Sequence, residues 1–295
     1  MVTGAGLIYP RHMELAMESV ERKPHPQLLR YVTSYTGYRV EHPGPGTHPG
    51  LPSRSLTFIV AFDDPLYVTT ATVADNGEDS FWAMLGGLHT RPATVRHPGR
   101  QHGLQLAITP LGALALFGVR AVELTSACAS LHDIDRLFAE ELVHRLSSAS
   151  DWADRFQLLD ALLLGVLDDQ PGPGSELECA WSALVQANGS IGVSQLASQV
   201  GWSRRHLSER FRITFGLPPK SLARVLRFEY AQDLLRTPQE GNLAGLAALA
   251  GYSDQSHMSR EWRELAGYSP TEWLEATQIG EAVARNPEGS RRHRA

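Results

Sequence analysis

Apolar positions along this chain change their period twice. Between residues 30 and 125 they come in short runs: Leu56-Thr-Phe-Ile-Val-Ala-Phe62, Tyr67-Val-Thr-Thr-Ala-Thr-Val73, Phe81-Trp-Ala-Met-Leu85 and Leu104-Gln-Leu-Ala-Ile-Thr109. Runs of this kind, separated by Asp63-Asp-Pro65, Asn76-Gly77 and Pro98-Gly99, predict strands joined by turns. Many short strands suggest a small barrel or sandwich. The spacing then becomes helical, predicting helices over 133–147 and 151–168. In the second, Trp152, Phe156, Leu159, Leu163 and Val166 recur at 4-3-4-3 spacing, a narrow seam of the kind that packs helix on helix. Leu158, Leu162 and Leu167 add a second apolar flank. The expectation is that one flank covers the β-rich part while the seam meets a second copy of the chain in a homodimer; the alternative is burial within one chain.

After Pro171-Gly-Pro-Gly-Ser175, which reads as a linker, a pattern occurs twice. Leu196-Ala-Ser-Gln-Val-Gly-Trp-Ser203 returns as Leu246-Ala-Ala-Leu-Ala-Gly-Tyr-Ser253, an offset of 50, and Gly216-Leu-Pro-Pro219 returns as Gly267-Tyr-Ser-Pro270, an offset of 51. A repeat defines the structural unit. In each copy a short apolar stretch stops at a glycine suited to a left-handed turn. Ser203 and Ser253 then stand as N-caps. Leu207 and Phe211, or Met258 and Trp262, give the following helix one buried face. The unit is a helix–turn–helix. Between the copies, Leu222, Val225, Leu226, Tyr230 and Leu234 predict a helix over 220–236, about 25 Å long at 1.5 Å per residue. Such a spacer suits two recognition helices about one DNA turn apart.

These residues resemble the DNA-binding domain of the AraC/XylS family of bacterial transcription regulators. The most specific piece is Ala250-Gly-Tyr-Ser-Asp-Gln-Ser-His-Met-Ser-Arg-Glu-Trp262 followed by Gly267-Tyr-Ser-Pro270, and Arg227-Phe-Glu-Tyr-Ala231 matches the family's Arg-x-x-x-Ala segment. Met258 and Trp262 stand where phenylalanine is usual, Leu274 where arginine is common, and Glu209 at an often basic position. The resemblance implies base contacts from Arg205, Ser208 and Glu209 in the first unit and from Ser256, His257 and Arg260 in the second. Arg204, Arg212, Arg224, Arg227, Gln255 and Arg263 are the expected phosphate contacts. Glu209 aligns with Arg260, so the two units are expected to read unlike half-sites: glutamate accepts from cytosine, whereas arginine pairs with guanine. The resemblance also implies an α+β chain, with a β-rich, cupin-like N-terminal barrel closed by helices and an all-α C-terminal domain. The boundaries expected are 1–170 for sensing and dimerisation, 171–175 for the linker, 176–278 for DNA binding and 279–295 for a disordered basic tail.

Charge agrees with this division. The chain carries a net −5. Residues 175–295 hold 14 basic and 13 acidic groups, while residues 1–174 hold 13 and 19. From Gly201 to Arg227 seven basic residues face one acidic residue. Neutralising phosphates with such a cluster dominates DNA affinity. The acidic first part is unsuited to nucleic acid.

Other chemistry is sparse. Cys128 and Cys179 have neither metal-ligand spacing nor the density of a disulfide scaffold. His42, His48, His89, His97 and His102 are conspicuous, but no His-x-His pair followed by glutamate suggests a metal centre. There is no nucleophile motif, phosphate loop or paired-carboxylate signature, so neither catalytic residues nor a cofactor are assigned. Phe58, Phe62, Trp82 and Phe117 are candidate walls of an effector pocket. No signal-peptide pattern opens the chain, and the apolar run Leu111–Val119 is too short for a bilayer. The expected partners are double-stranded DNA, a small effector, a second copy and, for an activator, RNA polymerase, in the cytoplasm and without a membrane. An effector-independent dimeric regulator and a cupin-like enzyme fused to a DNA-binding domain are the alternatives.

Overall fold

The computed structural model describes residues 16–70, 79–168, 172–236 and 243–274. Ten strands are placed: β1 (Ala16–Arg22), β2 (Val32–Glu41), β3 (Gly46–Gly50), β4 (Leu56–Ala61), β5 (Leu66–Thr69), β6 (Asp79–Phe81), β7 (Ala83–Gly86), β8 (Ala93–His97), β9 (Arg100–Ile108) and β10 (Cys128–Ser130). They form a six-stranded sheet in the order β1-β2-β9-β4-β7-β10 and a four-stranded sheet in the order β3-β8-β5-β6. Every pairing is antiparallel.

Strand alternation gives the large sheet two unlike faces. Leu56, Phe58 and Val60 of β4, with Leu104, Leu106 and Ile108 of β9, join a core shared with the helices. Tyr38, Val40, Ile59 and Met84 turn to the other face and meet Leu66, Val68 and Val95 of the small sheet. The helix-covered face is dry and aliphatic. The inter-sheet face also carries the polar Thr57, Gln101 and Gln105, which line a cavity.

Helices α1 (Pro110–Phe117), α2 (Leu131–Ile134), α3 (Arg136–Ser148) and α4 (Trp152–Val166) complete this part. The apolar run that began at Leu111 is a short helix, started by the Thr109 hydroxyl accepting from the Gly112 N–H at 3.0 Å. The helix expected over 133–147 is broken at Asp135, whose extended backbone and carboxylate cap α3 through Phe138 N–H.

The seam expected to join two copies is largely used inside one chain. Phe156, Leu159 and Leu163 are buried in the helix–sheet core, and Leu158 and Val166 pack at its edge. Trp152 lies over Gly37, where a Cβ would collide with its indole ring, and donates Nε1–H to Glu18 at 2.7 Å. Residues 153, 157, 161 and 165 form the exposed stripe of α4. The sheet outcompetes a partner because it presents a larger apolar surface already held in place by the same chain.

Past the expected linker the chain is helical: α5 (Ser175–Gln186), α6 (Val193–Gln199), α7 (Arg204–Phe215), α8 (Pro219–Arg236), α9 (Leu243–Leu249) and α10 (Gln255–Ala266). α8 has 18 residues, about 27 Å at the α-helical rise. Its phase serves two cores. Leu222, Ala223 and Leu226 join Leu196, Leu207 and Phe211 of the first unit. Val225, Phe228 and Ala231 join Ala247, Met258 and Trp262 of the second.

The two parts are also packed together. Leu217, just after α7, is buried in the N-terminal core, and the Thr125 hydroxyl donates to Gly216 O at 3.0 Å. Arg30 pairs with Glu178 at 3.0 Å, and Arg54 Nε with Glu229 at 2.6 Å. The basic tail expected from residue 279 lies outside the described residues.

Candidate nucleic-acid interface and cavity

Both helix–turn–helix turns pass through a left-handed glycine, Gly201 at φ +70° and Gly251 at φ +80°. In the first unit Ser203 caps α7 as expected, its hydroxyl accepting from His206 N–H at 3.2 Å. In the second the cap is Asp254 rather than Ser253, its carboxylate accepting from His257 N–H at 2.7 Å. The residue that separates the two repeat offsets therefore sits in this turn, and it hands the capping role to a stronger acceptor beside the positive end of the helix. The Asp254 carboxyl is held below its ordinary pKa by the His257 N–H and the Ser253 hydroxyl.

The buried faces of the recognition helices, Leu207, Phe211 and Phe215 on α7 and Met258, Trp262 and Leu265 on α10, decide what faces outward. On α7, Arg204, Arg205, Glu209 and Arg212 are exposed and Ser208 is half-buried. On α10, Gln255, Ser256, Arg260 and Arg263 are exposed and line a shallow concavity with Ser259 and Glu264. His257 is half-buried, its Nδ1 bonded to the Ser253 hydroxyl at 3.1 Å. On α7, the N-terminal part packs at the C-terminal end, around Gly216 and Leu217. The end bearing Arg204 and Arg205 is left open.

Two expected phosphate contacts have other work. Arg224 Nε donates to Glu261 at 2.9 Å, and its guanidinium also pairs with Glu264. Arg227 reaches Glu261 at 3.2 Å and the Gly189 carbonyl at 3.1 Å, with its guanidinium over the Tyr252 ring. Basic spacing alone could not show this, because the acidic partners come from α10, more than thirty residues away in sequence.

The cavity between the sheets has a volume of about 640 Å³. It runs along β9 from Ala107 to Gln101, about 20 Å at 3.4 Å per residue. Ile59, Leu66, Val68, Met84 and Val95 give it apolar walls. Glu229, Gln232, Asp233 and Arg236, one stripe of α8, close its mouth. None of the four aromatic candidates lines it. Phe58 and Phe117 pack against each other at 4.9 Å on the opposite face of the large sheet. Phe62 packs edge-on against His102, and Trp82 is 47% exposed. Register explains the miss: Phe58 faces the helices, so its neighbours Thr57 and Ile59 face the cavity. Period two in Leu56–Phe62 was readable, but not which face was hollow.

Three histidines gather beside the cavity. The rings of His42 and His97 stack at 3.7 Å, and His48 lies 6.0 Å from His97. Gln101 bridges them, 3.3 Å from His42 and 3.4 Å from His48. Desolvation pushes His48 and His97 down to about 4, with neighbouring imidazoles adding to the shift. Among the described residues no group of three or more His, Cys, Asp or Glu is placed to hold a metal ion.

The decisive comparison lies in the helical part. A family model described as a helix-turn-helix domain, of the AraC type, matches residues 196–276. Residues 196–276 are a helix-turn-helix domain of the AraC type. The match runs from α6 through the shared helix α8 to α10, so the repeat and the matched domain coincide. Several solved structures are similar to the chain. An apo variant of ToxT from Vibrio cholerae superposes with a TM-score of 0.50 at 13% identity, covering 86% of this chain and 99% of that one. That likeness shows the two-part fold. An AraC-type transcriptional regulator from Chromobacterium violaceum is 26% identical, covering 34% of this chain and 89% of that one, with a TM-score of 0.31. The DNA-binding domain of AdpA, solved with a target DNA, is 24% identical over 39% of this chain and all of that one, with a TM-score of 0.32. No curated protein sequence matches the chain. Among the described residues no helix is long and apolar enough to cross a membrane.

Proposed function

We propose that the chain is an AraC-type transcriptional regulator that reads a bipartite DNA site through α7 and α10 of a single chain, in the cytoplasm, and that a small effector in the inter-sheet cavity modulates this reading. The observation that carries the proposal is the stripe Glu229, Gln232, Asp233 and Arg236: the wall that closes the cavity is the helix shared by both helix–turn–helix cores. An occupant bears on α8 directly, and α8 holds both recognition helices. Arg54 fastens this wall twice, through its Nε at 2.6 Å and its backbone N–H at 2.9 Å, both to Glu229.

The base readers are Arg205, Ser208 and Glu209, then Ser256, His257 and Arg260. Arg204, Arg212, Gln255 and Arg263 are the phosphate contacts. Effector control requires an occupant that binds the DNA-competent and incompetent arrangements unequally. Two units in one chain read both half-sites without a second copy. If the regulator activates, RNA polymerase is the further partner.

The test is selection of genomic fragments by the purified chain at about 0.15 M salt, where exposed charges are screened beyond roughly 8 Å. Recovery of one bipartite site with halves about a turn apart supports the reading; recovery of unrelated sequences in proportion to their abundance rejects it. Glu229→Gln is expected to alter affinity for the selected site while leaving affinity for each isolated half-site in place. Equal affinity for the whole site in variant and wild type rejects control through α8.

A further inference from the structure

The cavity has a charged mouth and an uncharged inner end. At the mouth Arg54 is paired with Glu229, Arg236 with Asp233 at 3.3 Å, and Arg91 is exposed. At the inner end the polar groups are Tyr38, His48 and Gln101, all buried. Tyr38 is 3% exposed, and its side chain is part of the cavity lining. A phenol hydroxyl both donates and accepts, so a polar ligand group meeting it gains a hydrogen bond within an apolar enclosure. Among the described residues that line the cavity, the only basic side chains are Arg54, Arg91 and Arg236, all away from this end. Burial pushes the Tyr38 phenol up and the His48 imidazole down to about 4, so both groups are uncharged at neutral pH.

We propose that the cavity selects an elongated apolar ligand whose inner end carries an uncharged hydrogen-bonding group, a hydroxyl, carbonyl or carboxamide, received by Tyr38, Gln101 and His48. This rests on the effector reading above and specifies the chemistry of the same site. The length of the cavity suits a chain or fused rings rather than a single small sugar. Its apolar walls supply affinity, and the three polar side chains fix direction, the usual division of labour in a ligand pocket. A carboxylate at the inner end would leave water without a compensating cation, which strongly disfavours it.

The experiment is calorimetric titration of the full chain with decanamide, 1-decanol and decanoate, for wild type and Tyr38→Phe. The expected order places decanamide and 1-decanol at least about tenfold tighter than decanoate. Tyr38→Phe is expected to weaken the two uncharged probes about three- to tenfold, the worth of one hydrogen bond. Without ligand, the same variant is expected to melt near the wild-type temperature, because the exchange keeps the ring and its packing. A residue needed only for folding would lower it. Decanoate binding as tightly as decanamide, or affinities indifferent to Tyr38→Phe, overturns the ligand class and leaves the effector reading standing. Binding of none of the three overturns both.

Discussion

Arg227 on the shared helix and Glu261 on the second recognition helix form an ion pair at 3.2 Å, with side chains only 16% and 12% exposed. The same guanidinium donates to Gly189 O, in the loop between α5 and α6. One side chain therefore ties the first unit's entry loop to α10 of the second unit. Arg224 reinforces it through Glu261 and Glu264. The relative placement of the two readers depends on these contacts as well as on the length of α8.

Arg227→Ala is expected to destabilise the chain by about 2–3 kcal/mol. Removing one partner of a buried pair typically costs about 3–5 kcal/mol, and the remaining Arg224–Glu261 contact reduces that. Chemical denaturation measures it. An unchanged midpoint combined with weaker binding to all DNA sequences would instead place Arg227 on a phosphate.

The proposed base readers are expected to behave differently. Arg205→Ala and Arg260→Ala should each lose about 1–3 kcal/mol of discrimination at one position of the site while the melting temperature stays near wild type. Arg204→Ala and Arg212→Ala should weaken all sequences alike and flatten the salt dependence. Binding titrations on matched and single-substituted sites separate the two classes. Identical profiles for both would sink the division.

Acid should destabilise the β-rich part. His48 and His97 titrate near 4 when folded, chiefly through desolvation, against about 6.5 when unfolded. Between those values the unfolded chain binds more protons, so stability is full above about 6.5 and declines as pH falls towards 4. Melting temperature against pH for wild type and His97→Phe is the check, with a shallower decline expected in the variant. Parallel curves would remove His97 as a source of the effect.

Phe156→Ala separates a core residue from an interface residue. Phe156 is 2% exposed and stacks beside Tyr35, so truncation is expected to cost about 3–5 kcal/mol and to leave the mass measured by light scattering unchanged. A loss of mass from dimer to monomer without loss of stability would restore the seam as a subunit contact.

Read from the residues alone, the repeat settled most of the C-terminal part. Glycine at the turn, a capping side chain and apolar positions four apart act within one or two helical turns, so their geometry travels with the local sequence. For the same reason the alternation in Leu56–Phe62 announced a strand with two faces, and the outward positions of α7 and α10 followed from their buried ones. Tertiary structure decided what those local patterns met. It chose the large sheet rather than a second copy for Phe156, Leu159 and Leu163. It sent Phe58 to the helices, leaving the hollow to Tyr38, Thr57 and Gln101. It drew Arg224 and Arg227 to Glu261 instead of leaving them to DNA. Each of these outcomes depends on residues far apart in the chain, and the free energy of burial or pairing belongs to both partners, so neither segment encodes it alone.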